Sequence, residues 1–344
     1  MEPFTHVFSS LALARAGQRR LPRFGALMLV ASGTAPDFDY TSYFGGASAF
    51  LPLHRALLHS IVGSVVMVCV VAGAFCLLDR RLPRNEAAQA GSVARLGFAP
   101  ALAVCGIGAL GHMLLDLTSG VGVQLLWPFR VHWYGGPLAT NFDPWVLALF
   151  IAGLILPILF KLVNEEVSSG QRRPTGIPSA VITLLLAAGY FGLRAHLHSE
   201  AVDLLLSREY HGRVALSADA FPEASSPFNW RGIAATDDTL EEVAVSPSRP
   251  DEFDPHTSVT HYKPQDSPAL EIAGKTAAAA KFLEYARVPI ASVRRMEGDY
   301  RVELRDARFP EGDDSPSNVI LRIDLSSTLQ IRHEELLFAS SANR

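Results

Sequence analysis

Four apolar runs constrain this chain more than any other feature. Each approaches or reaches the roughly 20 residues needed to cross a hydrocarbon core, and they occupy residues 57–78, 98–117, 145–163 and 177–193. A chain with four such runs folds around helices that satisfy their own backbone hydrogen bonds within lipid. Two further apolar segments, residues 3–14 and 24–35, are only about a dozen residues each. That length predicts a re-entrant or partly buried helical hairpin. The expected fold is mainly α: a polytopic helical membrane domain over residues 1–198, made of the hairpin and four spans, followed by a small soluble α+β domain over residues 199–344. In that tail, residues 301–304 and 319–325 alternate like half-buried strands, residues 275–286 read as an Ala-rich helix, and residues 246–255 form a Pro- and Ser-rich loop.

Composition supports the division. The chain has 344 residues, and its charged share of 19% falls below the roughly 25% usual for soluble domains. A net charge of −4, with no basic face interleaved with aromatics, gives no case for nucleic acid as a partner. Cys69, Cys76 and Cys105 all lie inside apolar runs and offer no disulfide to the polar half. Arg15, Arg19, Arg20 and Arg23 interrupt any signal-peptide core at the N-terminus.

The basic residues also predict orientation. Arg15, Arg19, Arg20 and Arg23 separate the two short segments, Arg80, Arg81, Arg84 and Arg95 follow the first span, and Lys161, Arg172 and Arg173 follow the third. The alternate connections, residues 36–56 and 118–144, hold only Arg55 and Arg130. The basic side is therefore expected to be cytoplasmic, in a multi-pass protein of the cell inner membrane whose tail is extracytoplasmic.

Against that frame four features coincide: His6, Pro36-Asp37-Phe38-Asp39, His54-Arg55 with His59-Ser60, and His112 with Asp116. All fall at the outer ends of their segments, although the orientation rests on none of their histidines or aspartates. Imidazole and carboxylate suit zinc, manganese or iron, and a catalytic site needs about three protein ligands with one open position. His112 and Asp116, at i and i+4, share a helix face. Asp37 and Asp39 can both reach one site from an extended turn after Pro36. A divalent ion would make water a nucleophile near neutral pH. Arg55, the one cation in the cluster, would pair with a phosphate or hold a ligating carboxylate.

Each motif also has an ordinary explanation. A Pro-Asp-x-Asp turn is a common helix stop, and His6, His54 and His59 suit headgroup-level polar positions. His112 and Asp116 inside an apolar run are different, because ionisable groups there are costly and mark function by default. Asp143 reads as a helix N-cap. His132, beside Trp133 and Tyr134, suits an aromatic belt or a substrate entrance, and His196, His198, His211, His256, His261 and His333 are scattered without ligand spacing.

In combination, the early His6, Pro-Asp-x-Asp, His-Arg-x-x-x-His-Ser and His-x-x-x-Asp, followed by Gly120 and Trp127-Pro128-Phe129, resemble the YdjM-like inner-membrane proteins, a LexA-regulated family described as metal-dependent hydrolases. The resemblance covers roughly residues 1–165. More distantly, the motifs are similar to those of the zinc-dependent phospholipase C and single-strand nuclease superfamily, all-helical enzymes that cleave phosphate esters. The resemblance implies His6, Asp37, His59, His112 and Asp116 as metal ligands. It makes Asp39 and His54 further ligands or groups that hold the ligands, and with Arg55 these form the expected catalytic set. No second His-x-x-x-Asp occurs in the third and fourth spans, so one or two ions are expected, zinc first and manganese second. The segment Pro227-Phe228-Asn229-Trp230-Arg231 resembles part of the extracytoplasmic domain of longer members.

The expected activity is hydrolysis of a phosphoester or lipid-like substrate at the outer face of the membrane, with membrane lipid or a small molecule as partner. Two other classes compete. One is a scaffold or sensor with a structural His/Asp cluster and a partner-binding tail. The other is a proton-coupled transporter, which the lack of ionisable residues deep in the third and fourth spans disfavours.

Overall fold

The structure, a computed structural model, describes residues 1–82, 95–167, 176–264, 267–310 and 312–342. Arg84, Arg172 and Arg173 of the basic connections lie outside the described residues. The chain opens with a helical hairpin, α1 (Pro3–Gly17) and α2 (Gly25–Thr34), then a 3-10 segment (Ala35–Gly45) and the short α3 (Ala47–Leu53). Pro3 opens α1 where a backbone N–H is dispensable, and the Glu2 carboxylate accepts the Thr5 N–H at 3.1 Å. At 1.5 Å per residue, α1 and α2 measure about 22 and 15 Å, short of a hydrocarbon core of about 30 Å.

Long helices follow: α4 (Ile61–Arg81), α5 (Phe98–Leu117), α6 (Pro144–Val167) and α7 (Ile177–Leu206). Among the described residues these are the four helices long and apolar enough to cross a membrane. The first begins at Ile61, later than its apolar run, because Arg55 turns the chain with φ +57° and Ser60 caps the helix by accepting the Gly63 N–H at 3.0 Å. The last does not stop at residue 193 but continues to Leu206. Small residues let α1, α2, α4 and α5 pack closely: Ala14, Ala72, Ala101, Cys105 and Ala109 surround Met28 and Leu29. A second cluster, of Ala12, Leu115, Val146, Phe150 and Ala187, joins α6 and α7 to α1 and α5. At the basic end Arg23 pairs with the buried Asp79 at 2.8 Å. Asp143 caps α6 as its position predicts, accepting the N–H groups of Trp145 and Val146 at 3.1 Å.

The tail holds more strands than its alternation indicates. After the two-residue strands β1 (Glu209–Tyr210) and β2 (Arg213–Val214) come β3 (Ser217–Pro222), β4 (Trp230–Ala235), β5 (Thr239–Val245) and β6 (Val259–Tyr262). Two helices, α8 (Pro268–Gly274) and α9 (Ala277–Tyr285), precede β7 (Pro289–Met296), β8 (Asp299–Asp306), β9 (Val319–Leu325) and β10 (Ile331–Phe338), and α10 (Ala339–Ala342) ends the described chain. The two four-stranded sheets are antiparallel meanders, β3-β4-β5-β6 and β10-β9-β8-β7. The end of α7 covers the first through Leu197, Ala201 and Leu205, packed on Trp230, Ala234 and Val243. The second buries Val302, Leu304, Leu321 and Ile323 against Ala273, Ala279 and Phe282 of α8 and α9. A shared cluster of Phe50, Leu51, Val121, Tyr285, Val319 and Phe338 seats the tail on α3 and the 118–143 connection.

Candidate metal centre

Four elements of the helical half deliver the five predicted ligands to one level. His6 comes from α1, Asp37 from the 3-10 segment, His59 from the turn before α4, and His112 and Asp116 from successive turns of α5. His6, His59, His112 and Asp116 are fully buried. His59 Nε2 lies 3.0 Å and His112 Nε2 3.3 Å from Asp116 Oδ2, and His6 Nε2 lies 3.3 Å from Asp116 Oδ1. His112 Nε2 is 3.9 Å from Asp37 Oδ1, and the His6 and His112 rings stack with centroids 3.7 Å apart. Two ligand groups result, His6/Asp37/His112 and His59/His112/Asp116, each with its donor atoms within 4.8 Å of one another.

The hydrogen bonds behind the ligands fix which nitrogen faces inward. His112 Nδ1 lies 2.9 Å from the Gly33 carbonyl, which can only accept, so the proton sits on Nδ1 and the Nε2 lone pair points into the cluster. His59 Nδ1 faces Asp39 Oδ2 at 2.9 Å as a charge contact rather than a hydrogen bond, and its Nε2 faces Asp116. The two Nε2 atoms are then 3.1 Å apart, beside a carboxylate. Two ring nitrogens and a carboxylate sharing that space call for a cation or a proton among them. Asp116 Oδ2, Asp37 Oδ2 and both ring nitrogens of His6 are buried without a hydrogen-bond partner among the described residues. The residues therefore fit a divalent metal, with the ring-to-carbonyl and ring-to-carboxylate support that metal-binding histidines commonly have. A proton can meet the same deficit. Burial depresses His59, but Asp116 and Asp39 outweigh it and raise the imidazole to about 9.

Asp37 and Asp39 do not converge as an extended turn predicts. Their segment is a 3-10 helix, in which residues i and i+2 point in different directions at about 120° per residue. Asp37 joins His6 and His112. Asp39 instead holds the histidine turn: Oδ1 lies 3.0 Å from His54 Nδ1, and Oδ2 accepts the Arg55 N–H at 2.7 Å as well as facing His59. Burial opposes its charge, yet these donors hold the Asp39 carboxyl well below the usual range. His54, stacked on Phe50 at 4.3 Å, belongs to neither ligand group. Burial, only partly offset by Asp39, brings its imidazole down to about 4, and its Nε2 has no hydrogen-bond partner among the described residues.

Arg55 is buried with the cluster. Its Nη1 donates to Ser119 Oγ at 2.6 Å and to the Gly122 carbonyl at 3.3 Å, and Nη2 lies 3.5 Å from Asp116 Oδ1. Its Nε has no acceptor among the described residues. The amino group of Met1 also contacts Asp116 Oδ1. Ser119 is a participant the motifs did not single out, although its place one turn after Asp116 was a usable signal. The Gly33 carbonyl had no signal at all. His132 is exposed, packs on Tyr134 at 4.6 Å, and stands outside both groups. The Pro227–Arg231 motif is structural in this chain: Arg194 lies over the Trp230 ring at 4.0 Å, donates to the Leu138 carbonyl at 2.8 Å and contacts the Pro227 carbonyl.

Comparison with curated proteins and with solved structures finds no match. A family profile described as the YdjM inner membrane protein does match, over residues 1–198, and that stretch contains the first three apolar helices, most of the fourth and every residue of the buried cluster. The chain belongs to the YdjM inner membrane protein family.

Proposed function

We propose that this protein is a metal-dependent hydrolase of the cytoplasmic membrane, acting on a phosphoester or lipid-like substrate at the outer face, with its tail on that side. The observation that carries the reading is the pair of inward-facing Nε2 atoms, 3.1 Å apart beside Asp116. The orientation is supported by the basic residues, which gather at the ends of the spans opposite the cluster.

His59, His112 and Asp116 would hold one ion, and His6 with Asp37 would hold a second or complete the first. An imidazole nitrogen has one lone pair, so the two groups compete for His112. The ion, zinc or manganese, supplies Lewis acidity and a water activated for attack. Arg55 binds the substrate's anionic oxygen through its unpartnered Nε–H, with its Nη atoms already engaged. His54 stays neutral at pH 7 and offers Nε2 as a proton acceptor, while Asp39 fixes the rings of His54 and His59. Burial of His6, His59, His112, Asp116 and Arg55 limits bulk water, which strengthens each of these electrostatic contacts.

The second reading is a scaffold or sensor whose cluster is neutralised by protons, and the raised His59 favours it. Elemental analysis of the detergent-purified protein separates the two. Stoichiometric zinc or manganese in the parent protein, lost together with phosphoesterase activity in Asp116→Ala, is the expected result. Retention of metal by Asp116→Ala would remove Asp116 from the ligand set, and a metal-free parent protein would leave the scaffold reading.

A further inference from the structure

The tail and the candidate metal centre grip the same piece of backbone. Residues 119–122 follow Asp116 directly and are held from within by Arg55, through Ser119 Oγ at 2.6 Å and the Gly122 carbonyl at 3.3 Å. They are held from the tail by Arg308, whose Nη1 donates to the Gly120 carbonyl at 3.0 Å and approaches the Val121 carbonyl at 3.5 Å. Arg308 is itself well fixed. It is buried, pairs with Asp306 at 2.8 Å, donates through Nη2 to the Tyr285 carbonyl at 3.1 Å and stacks over the Tyr285 ring at 4.5 Å. Two arginines that never meet therefore share one short support, 188 residues from Arg308 in the chain.

We infer that Arg308 is a positioning residue of the membrane site: by fixing residues 119–122 it sets where the Arg55 guanidinium stands against Asp116. The tail is then a working part of the site. Its planar fork reaches neighbouring carbonyls and the Tyr285 carbonyl together, which a lysine ammonium cannot do. The inference rests on the metal-site reading for its affinity readout but not for its coupling readout.

The test uses the full chain in detergent, with manganese alone as the probe. Arg308→Lys should weaken manganese binding about tenfold, the lower range for groups that orient metal ligands. Combination with Ser119→Ala should add little further loss, because both act through Arg55. Phe282→Leu, which loosens the tail core beneath α9 without touching residues 119–122, should lower the tail's Tm and leave manganese affinity unchanged. Equal losses of affinity in Arg308→Lys and Phe282→Leu would reduce Arg308 to a structural residue and overturn the inference. If the parent protein binds no manganese, the metal reading fails, and metal-free Tm shifts decide this one. Shifts of Arg55→Ala and Arg308→Lys that fall short of their sum when combined support the shared support, and additive shifts refute it.

Discussion

Gly33 sits where α1, α2 and α5 cross, and its carbonyl accepts from His112 Nδ1 at 2.9 Å. A Cβ built at Gly33 would lie 2.2 Å from Ser10 Oγ and 3.4 Å from Ser10 Cβ and the Gly108 carbonyl. Real atoms do not approach to the first distance, whereas the other two are at the edge of ordinary contact. Gly33→Ala must therefore spread α1 from α2 or force Ser10 from its place, an overpacking that costs about 1–3 kcal/mol. At roughly 2–4 °C per kcal/mol for a unit of this size, the Tm of the membrane half should drop by about 2–12 °C. The clash resides in one oxygen, so Ser10→Ala should rescue it: the double variant leaves the 3.4 Å contacts and should regain most of the loss. Thermal unfolding in detergent reads the stability, and manganese titration reads whether His112 has moved with its carbonyl anchor. A Gly33→Ala protein as stable as the parent, or one that Ser10→Ala fails to restore, would refute the packing argument.

Other outcomes follow from the same geometry. Asp39→Asn removes the charge that orients His54 and His59 and should weaken metal binding by about 10–100-fold while the protein stays folded, measured by metal titration beside circular dichroism. Asp219, half enclosed, is opposed by burial but held below its ordinary carboxyl value of 3.8 by His198 and Arg287. Its stabilisation is thus full above that value and fades as the pH falls beneath it; the parent tail should lose stability along that acid limb, and Asp219→Asn should flatten it in a pH series of tail unfolding. Arg194→Met leaves the Leu138 carbonyl without its charged donor and Trp230 without its cation. About 2–3 kcal/mol should be lost, seen as faster proteolysis of the tail, and an unchanged rate would count against the clamp.

The spans and the ligand types were legible because both are properties of residue kind. Lipid selects apolar length, and an imidazole or carboxylate inside such a run has few other uses. His112 and Asp116 also fix their own spacing, since a helix places i and i+4 together. Asp37 and Asp39 were harder, because two residues apart means one face in an extended chain and two faces in a 3-10 helix, and nothing around Pro36 separates the cases. The tail's first sheet was hidden for a related reason. β4 is buried at Trp230, Gly232, Ile233 and Ala234 in turn, since α7 covers one face and the second sheet approaches the other, so no alternation remains to be read. Arg308 and the Gly33 carbonyl are visible only in three dimensions, where a partner far along the chain gives them meaning.

The length of α7 has a mechanical consequence. Its 30 residues measure about 45 Å, some 15 Å more than a hydrocarbon core of about 30 Å, and the surplus is the part that packs on Trp230 and the first sheet. A helix of that kind is a strut with no slack. In a bilayer that the strut crosses, a tilt of the helix would carry the sheet with it, and the load would pass through the Leu138 and Pro227 carbonyls that Arg194 holds.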